Sequence, residues 1–383
     1  MKKYFLSLAV LMMGCAMLTA CGDDDDDDNV QPTPTPEEKK AVDVSKGVFI
    51  VGSGNMQSQI SGNLTFYDYA QNKTINDLFK SVNGRALGVT ANDGVVYGTK
   101  LYVVVDGENT VEVMDAQTCK SIKQISTTAL LGDERGKSPR RILAHGGNIY
   151  VSTYGGYVAA IDTTTYSLKM QYEAGSYPEG MAFSGKMLFV ANCDYGMGQN
   201  PSISIFNSET GAKIIDLSDD LINNPTTLVA RGTELYILCG DTYDPVTFAV
   251  KQKGGLRKVA MQGQGGPVTM QLMDAGLMAV KGDSLYCVAD PYGKPKYFVY
   301  DMGKGEKSTF TTDDVEIPNA LGVDPVTGDV VIACYTKNPD TGYGNYSAPG
   351  YAVRYDKTGK KLGTFETGVG PCAVFFNTGV RYE

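Results

Sequence analysis

The chain has 383 residues, a formal net charge of −9, one histidine and no tryptophan. That acidic balance argues against a nucleic-acid ligand, since phosphate binding needs a basic face. The 45 glycines and 24 tyrosines suit a turn-rich β protein, and the eight cysteines show no C-x-x-C spacing or companion histidines, which disfavours a zinc site.

Lys2 and Lys3 precede an apolar run at 5–18 that is shorter than the roughly 20 residues a membrane span requires. Residues 1–20 therefore read as a secretory signal peptide. Leu18-Thr19-Ala20-Cys21 resembles the bacterial lipobox, in which the cysteine thiol is acylated, so Cys21 is the expected lipidation site. Six aspartates at 23–28 repel one another, and Pro32, Pro34 and Pro36 favour extended geometry. Nothing before about Val44 offers enough apolar surface to offset ordering, so 21–43 is expected to be a tether. The aspartate run resembles the acidic export signal of Bacteroidetes surface lipoproteins, which routes them to the outer leaflet. Loss of Lys2 and Lys3 with the signal peptide takes the charge from −9 to −11; six of those charges lie in the tether.

From residue 44 to 383 an apolar pair recurs: Val48-Phe49, Leu101-Tyr102, Ile149-Tyr150, Leu188-Phe189, Leu235-Tyr236, Leu285-Tyr286 and Val331-Ile332. A loop and then an alternating strand follow each pair, at 64–68, 111–115, 158–162, 203–207, 256–259, 297–301 and 352–356. Five of those seven strands end in Asp and one in Asn, expected to bond the backbone of the next turn. Another strand precedes most apolar pairs, introduced in five cases by Pro139, Pro178, Pro225, Pro318 or Pro371. Four short antiparallel strands (A to D) at a period of roughly 40–50 residues, with no helical period, predict an all-β, seven-bladed β-propeller. Blade 1 lacks a strand A at its start, and 371–376 is a strand A without B, C or D. The C-terminal strand should therefore complete blade 1 as its innermost strand and close the ring.

In this topology the B–C and D–A connections share one face. The long B–C loops 52–62, 192–201, 240–255, 289–296 and 335–350 fall there, with the D–A connection 127–138, and long ordered loops concentrate function. Tyr154, Tyr177, Tyr195, Tyr243, Tyr292, Tyr335, Tyr343 and Tyr346 lie on this face, offering broad apolar area with polar tips. Arg85, Arg140 and Glu179 are expected to start A strands and point toward the mouth of the central channel. Asn192, Asp194, Asp241, Asp290 and Asn319 add hydrogen-bonding groups around it. Together these are the expected ligand-binding residues. No catalytic residue or metal ligand is expected: the one histidine, His145, falls in an A–B turn on the opposite face, and no G-x-S-x-G elbow occurs. A metal-dependent lactonase would draw on Glu179, Asn224 and Asn319, a thin signal. Cys119, Cys193, Cys239, Cys287, Cys334 and Cys372 read as buried thiols, with Cys193–Cys239 a weak disulfide candidate.

The lipobox, acidic run, Pro/Thr tether and seven blades of "LYV…VxVxD" type together resemble the surface cobalamin-binding lipoproteins called BtuG in gut Bacteroidetes. The resemblance spans the whole chain, but the blade motif alone belongs to a broader group of propellers. It implies a lipid-anchored outer-membrane protein facing the cell exterior. It also implies capture of vitamin B12 (cobalamin) or related corrinoids, with no cofactor required, and delivery to a BtuB-like TonB-dependent outer-membrane transporter. A surface propeller that binds protein or glycan through the same loops is the alternative, and the lactonase comes third.

Overall fold

The computed structural model describes residues 41–261 and 266–382. The signal peptide, Cys21 and tether residues 21–40 lie outside them. Seven four-stranded antiparallel sheets form the expected seven blades, and a two-stranded hairpin (Thr242–Tyr243 with Val250–Gln252) is set into blade 5. Blade 1 takes its innermost strand from the C-terminus: Pro371–Tyr382 pairs with Ala41–Gly52, with Phe375 opposite Phe49. That pairing reaches back to Ala41, opposite Tyr382, so the first strand starts three residues before the expected boundary at Val44.

The apolar pairs lie in the B strands, and their burial explains the unbroken hydrophobic runs. Leu101, Val103 and Val105 pack toward blade 1, while Tyr102 and Val104 pack toward blade 3. Both faces of such a strand are covered, so both phases of its alternation must be apolar. Seven buried clusters result, one between each pair of neighbouring blades. The last, between blades 7 and 1, joins Ala333 and Ala352 to Val48 and Ile50 and so closes the ring. The D strands face solvent; Lys213–Leu217 is mostly exposed.

The residues that end the C strands bond their turns as expected. Asp115 Oδ1 accepts from Gln117 and Thr118 N–H, Asp162 from Thr164 and Thr165, and Asn207 from Glu209 and Thr210. Two short α-helices lie between the blades without altering the all-β class. Leu78–Asn83 and Thr127–Leu131 occupy the D–A connections of blades 1 and 2. Neither is long enough to display a 3.6-residue period, and Ser126 caps the second by accepting from Ala129 N–H.

Candidate ligand site at the channel mouth

The face is built by a device that repeats where each inner strand begins. Thr90, Ser138, Tyr177, Ile317 and Gly370, which precede the A strands of blades 2, 3, 4, 7 and 1, are left-handed with φ of 57, 51, 52, 48 and 69°. A left-handed β-branched residue such as Ile317 is strained and persists only where its surroundings hold it. They do: the carbonyls of these five residues accept from the N–H of Asp106, Tyr154, Cys193, Tyr335 and Ser53, each the first residue beyond strand B of the same blade, at 2.8–3.1 Å. Every such bond ties a D–A connection to a B–C loop. Tyr154 and Tyr335 thus occupy equivalent positions in blades 3 and 7.

The next residues bulge. Pro139 faces Thr153 and Ile142 faces Val151, so Arg140 and Arg141 together oppose Ser152 alone. Blade 4 repeats this with Glu179 and Gly180, and single skips occur at Asn92, Thr226, Asn319 and Cys372. A bulge breaks the period of two and re-aims side chains. Here it puts residues from the tops of the inner strands into the channel. The cavity they line has a volume of about 470 Å³ and takes residues from all seven A strands. Asn92, Asp93, Arg140, Arg141, Thr226, Thr227 and Asn319 make its upper layer; Met181, Leu228, Met278, Leu321 and Val374 come later along the strands and form an apolar layer beneath.

The upper layer is charged but internally matched. Glu179 accepts from Arg140 Nε and Arg141 Nε at 3.1 Å each and from the Tyr154 hydroxyl at 2.5 Å. Arg140 also reaches Asp106 Oδ2 at 3.2 Å and lies 4.5 Å from the centre of the Tyr154 ring. Burial alone would raise the Glu179 carboxyl, but the two guanidiniums and the tyrosine hydroxyl hold it below the ordinary glutamate value. Asp93 goes the other way: burial raises it despite Arg141 and the N–H groups of Ile142 and Gly94. Burial pushes the Cys372 thiol up to about 12.

Tyrosines form two groups around this mouth. Tyr154, Tyr177 and Tyr195, from blades 3 and 4, have ring centres 4.9, 5.1 and 6.1 Å apart. Tyr335 and Tyr346 of blade 7 meet edge to face at 4.9 Å, and Tyr292 of blade 6 donates to Asn319 Oδ1 at 2.7 Å. Blades 3–4 and 6–7 lie on opposite sides of a seven-blade ring. Tyr195 and Tyr346 are 60% and 53% exposed, so both groups present open ring surface. Tyr243 stands on the blade 5 hairpin, 39% exposed.

Several expected site residues do other work. Arg85 precedes its inner strand by six residues and bonds outward, to Glu112 at 2.8 Å and Ser121 at 3.2 Å on strands C and D of blade 2. It is not at the mouth, because the helix Leu78–Asn83 and the chain after it run along the blade flank. Asn192 is fully buried, accepting from Gly175 N–H and donating to Ser202 and Ser204. Asp194 accepts from Gln199 and Asn200 N–H, Asp241 from Gly254 N–H and Lys253, and Asp290 from Lys294 N–H. These carboxylates shape their own loops, the use local backbone makes of an aspartate. The Tyr343 ring stacks on no other aromatic among the described residues. Of the three residues a lactonase would use, Glu179 is held as above, Asn224 donates to Asp241 O and Asn319 to Pro371 O. The groups the sequence reading missed are Asn92, Asp93, Arg141, Thr226, Thr227 and Cys372. A signal was present for two of them, since Thr226 and Cys372, like Arg140, Glu179 and Asn319, directly follow an inner-strand proline. His145 stacks on Phe183 with ring centres 4.0 Å apart, at the far end of its strand. The six described cysteines are free, Cys193 and Cys239 included.

A family model described as a domain of unknown function (DUF5074) matches residues 46–370. None of the curated proteins matches the chain. Among solved structures, the hydrazine synthase of Kuenenia stuttgartiensis superposes with a TM-score of 0.55 at 17% identity, over 79% of this chain and 95% of that one. A protein from Bacteroides uniformis provisionally described as a 6-phosphogluconolactonase gives 0.61 at 13%, over 87% and 100%. A protein of Sulfolobus tokodaii described as a hypothetical selenium-binding protein gives 0.60 at 9%, over 88% and 93%. At these identities the likeness is one of fold alone.

Proposed function

The chain belongs to the DUF5074 family, and we propose that it is a cell-surface lipoprotein that binds cobalamin or a related corrinoid across the channel mouth and delivers it to a TonB-dependent outer-membrane transporter. The observation that carries this reading is the pair of tyrosine groups on opposite sides of a polar mouth. A corrinoid is a wide, flat disc with amides along its rim. It is too large to enter a cavity of about 470 Å³, so it lies over the mouth. Tyrosine faces cover its apolar surface, while Arg140, Thr226 and Asn319 offer donors and acceptors to the rim amides. Binding needs no covalent step, and Glu179 acts by keeping Arg140, Arg141 and Tyr154 in place before the ligand arrives. Pre-organisation of this kind lowers the entropic cost of binding. The lipobox-like run ending in Cys21 and the acidic run at 23–28 support the surface location.

A second reading, a protein partner on the same face, draws on the blade 5 hairpin, where Val246 and Phe248 are 83% and 70% exposed. One experiment separates the two. Protein mixed with cyanocobalamin and desalted retains the red chromophore in the protein fraction on the corrinoid reading. Elution of the colour entirely with the small molecules favours the protein partner.

A further inference from the structure

Arg257, in strand C of blade 5, is the largest of the fully buried side chains, with 1% of its surface exposed. It shares a strand face with Val259, which packs in the cluster between blades 4 and 5 beside Ile237 and Cys239. Its Nη2 donates to Lys253 O at 3.1 Å, but Nε and Nη1 have no partner, and among the described residues no carboxylate pairs with it. Cys239 offers no counter-charge, because burial pushes its thiol up. A second orphan adjoins the first: Asn223 Oδ1 is buried without a partner, while its Nδ2 reaches the same Lys253 oxygen at 3.5 Å and Gly240 O at 3.3 Å. Gly255 keeps the place tight, since a Cβ there would sit 2.7 Å from Arg257 Nη1. A buried, uncompensated guanidinium is among the costliest things a fold can hold.

We propose that Arg257 forms a buried site for a small monovalent anion of halide size, between blades 4 and 5 and beneath the blade 5 loop at 240–254. The anion accepts from Nε and Nη1 of Arg257. Because Lys253 and Gly240 flank that loop, occupancy also braces the hairpin that carries Tyr243.

The test is thermal melting of the mature chain in sodium chloride against sodium gluconate at matched ionic strength. An ion that binds only the folded state raises Tm with its concentration, here by about 2 °C or more over the series. Chloride should do this, gluconate should not, and Arg257→Met should abolish the difference. Equal melting in both salts, or a chloride effect that survives in Arg257→Met, overturns the proposal. Should that variant not fold, crystals of the wild type grown in sodium bromide decide it. An anomalous peak within hydrogen-bonding distance of Arg257 Nε and Nη1 supports the site, and its absence refutes it.

Discussion

At Glu179 one buried carboxylate serves two guanidiniums and a tyrosine hydroxyl. Glu179→Gln keeps the shape and removes the charge, leaving Arg140 and Arg141 under-compensated. Both arginines are partly exposed, so the loss belongs at the low end for a broken buried pair, about 3 kcal/mol, read from denaturant melts. The pH dependence follows from the sign of the shift. A carboxyl held below its unfolded value of about 4.3 contributes stability that is present above that pH and lost as pH falls through the folded value. The turn aspartates act in the same sense, Asp162 being lowered to about 2 by the N–H groups of Thr165 and Thr164. The wild type should therefore lose stability progressively below about pH 4, and Glu179→Gln should show a shallower acid limb. Among the tyrosines, Tyr195→Ala and Tyr292→Ala should each weaken cyanocobalamin binding by about 2 kcal/mol in calorimetric titration, with unchanged melting curves. Tyr343→Ala and His145→Ala should leave affinity near wild type.

The C-terminal strand is the element on which the ring depends. Pro371–Tyr382 pairs along the whole of Ala41–Gly52 and places Phe375 against Phe49, ring centres 5.5 Å apart. Deleting 371–383 opens the seam and exposes both edges, so cooperative melting should be lost; deleting 22–40 should leave Tm nearly unchanged. Strand placement was legible because each element is marked by chemistry that acts locally. Prolines open A strands where no ladder N–H is needed, apolar runs mark B strands buried on both faces, and terminal acids mark C strands. The bulges were not legible, since a skip in register depends on the partner strand rather than on residues such as Arg140 and Arg141 themselves. For the same reason the sequence around Asn192 and Asp194 does not disclose that Gly175, Gln199 and Asn200 already use them. The tyrosine clusters were more legible, because loop length alone places Tyr154, Tyr195 and Tyr335 beside other loop tyrosines of the B–C and D–A face.

For the whole molecule, seven interblade clusters make a rigid ring whose one elaborated face combines strained loop junctions, a matched charge layer and open tyrosine rings. On the proposed reading the preformed mouth receives the ligand, and an anchor at Cys21 would keep it where the ligand arrives. Cys21→Ser should yield folded protein that fractionates away from membranes, while replacing the aspartates at 23–28 with serine should retain lipidation and reduce protease accessibility on intact cells. The central claim concerns where the ligand sits, and cobalt reports that directly. In crystals of the mature chain grown with cyanocobalamin, cobalt anomalous scattering should give one peak above the channel mouth, between the Tyr154–Tyr177–Tyr195 and Tyr292–Tyr335–Tyr346 groups. A peak on the opposite face beside His145, or none at saturating ligand, would contradict the account.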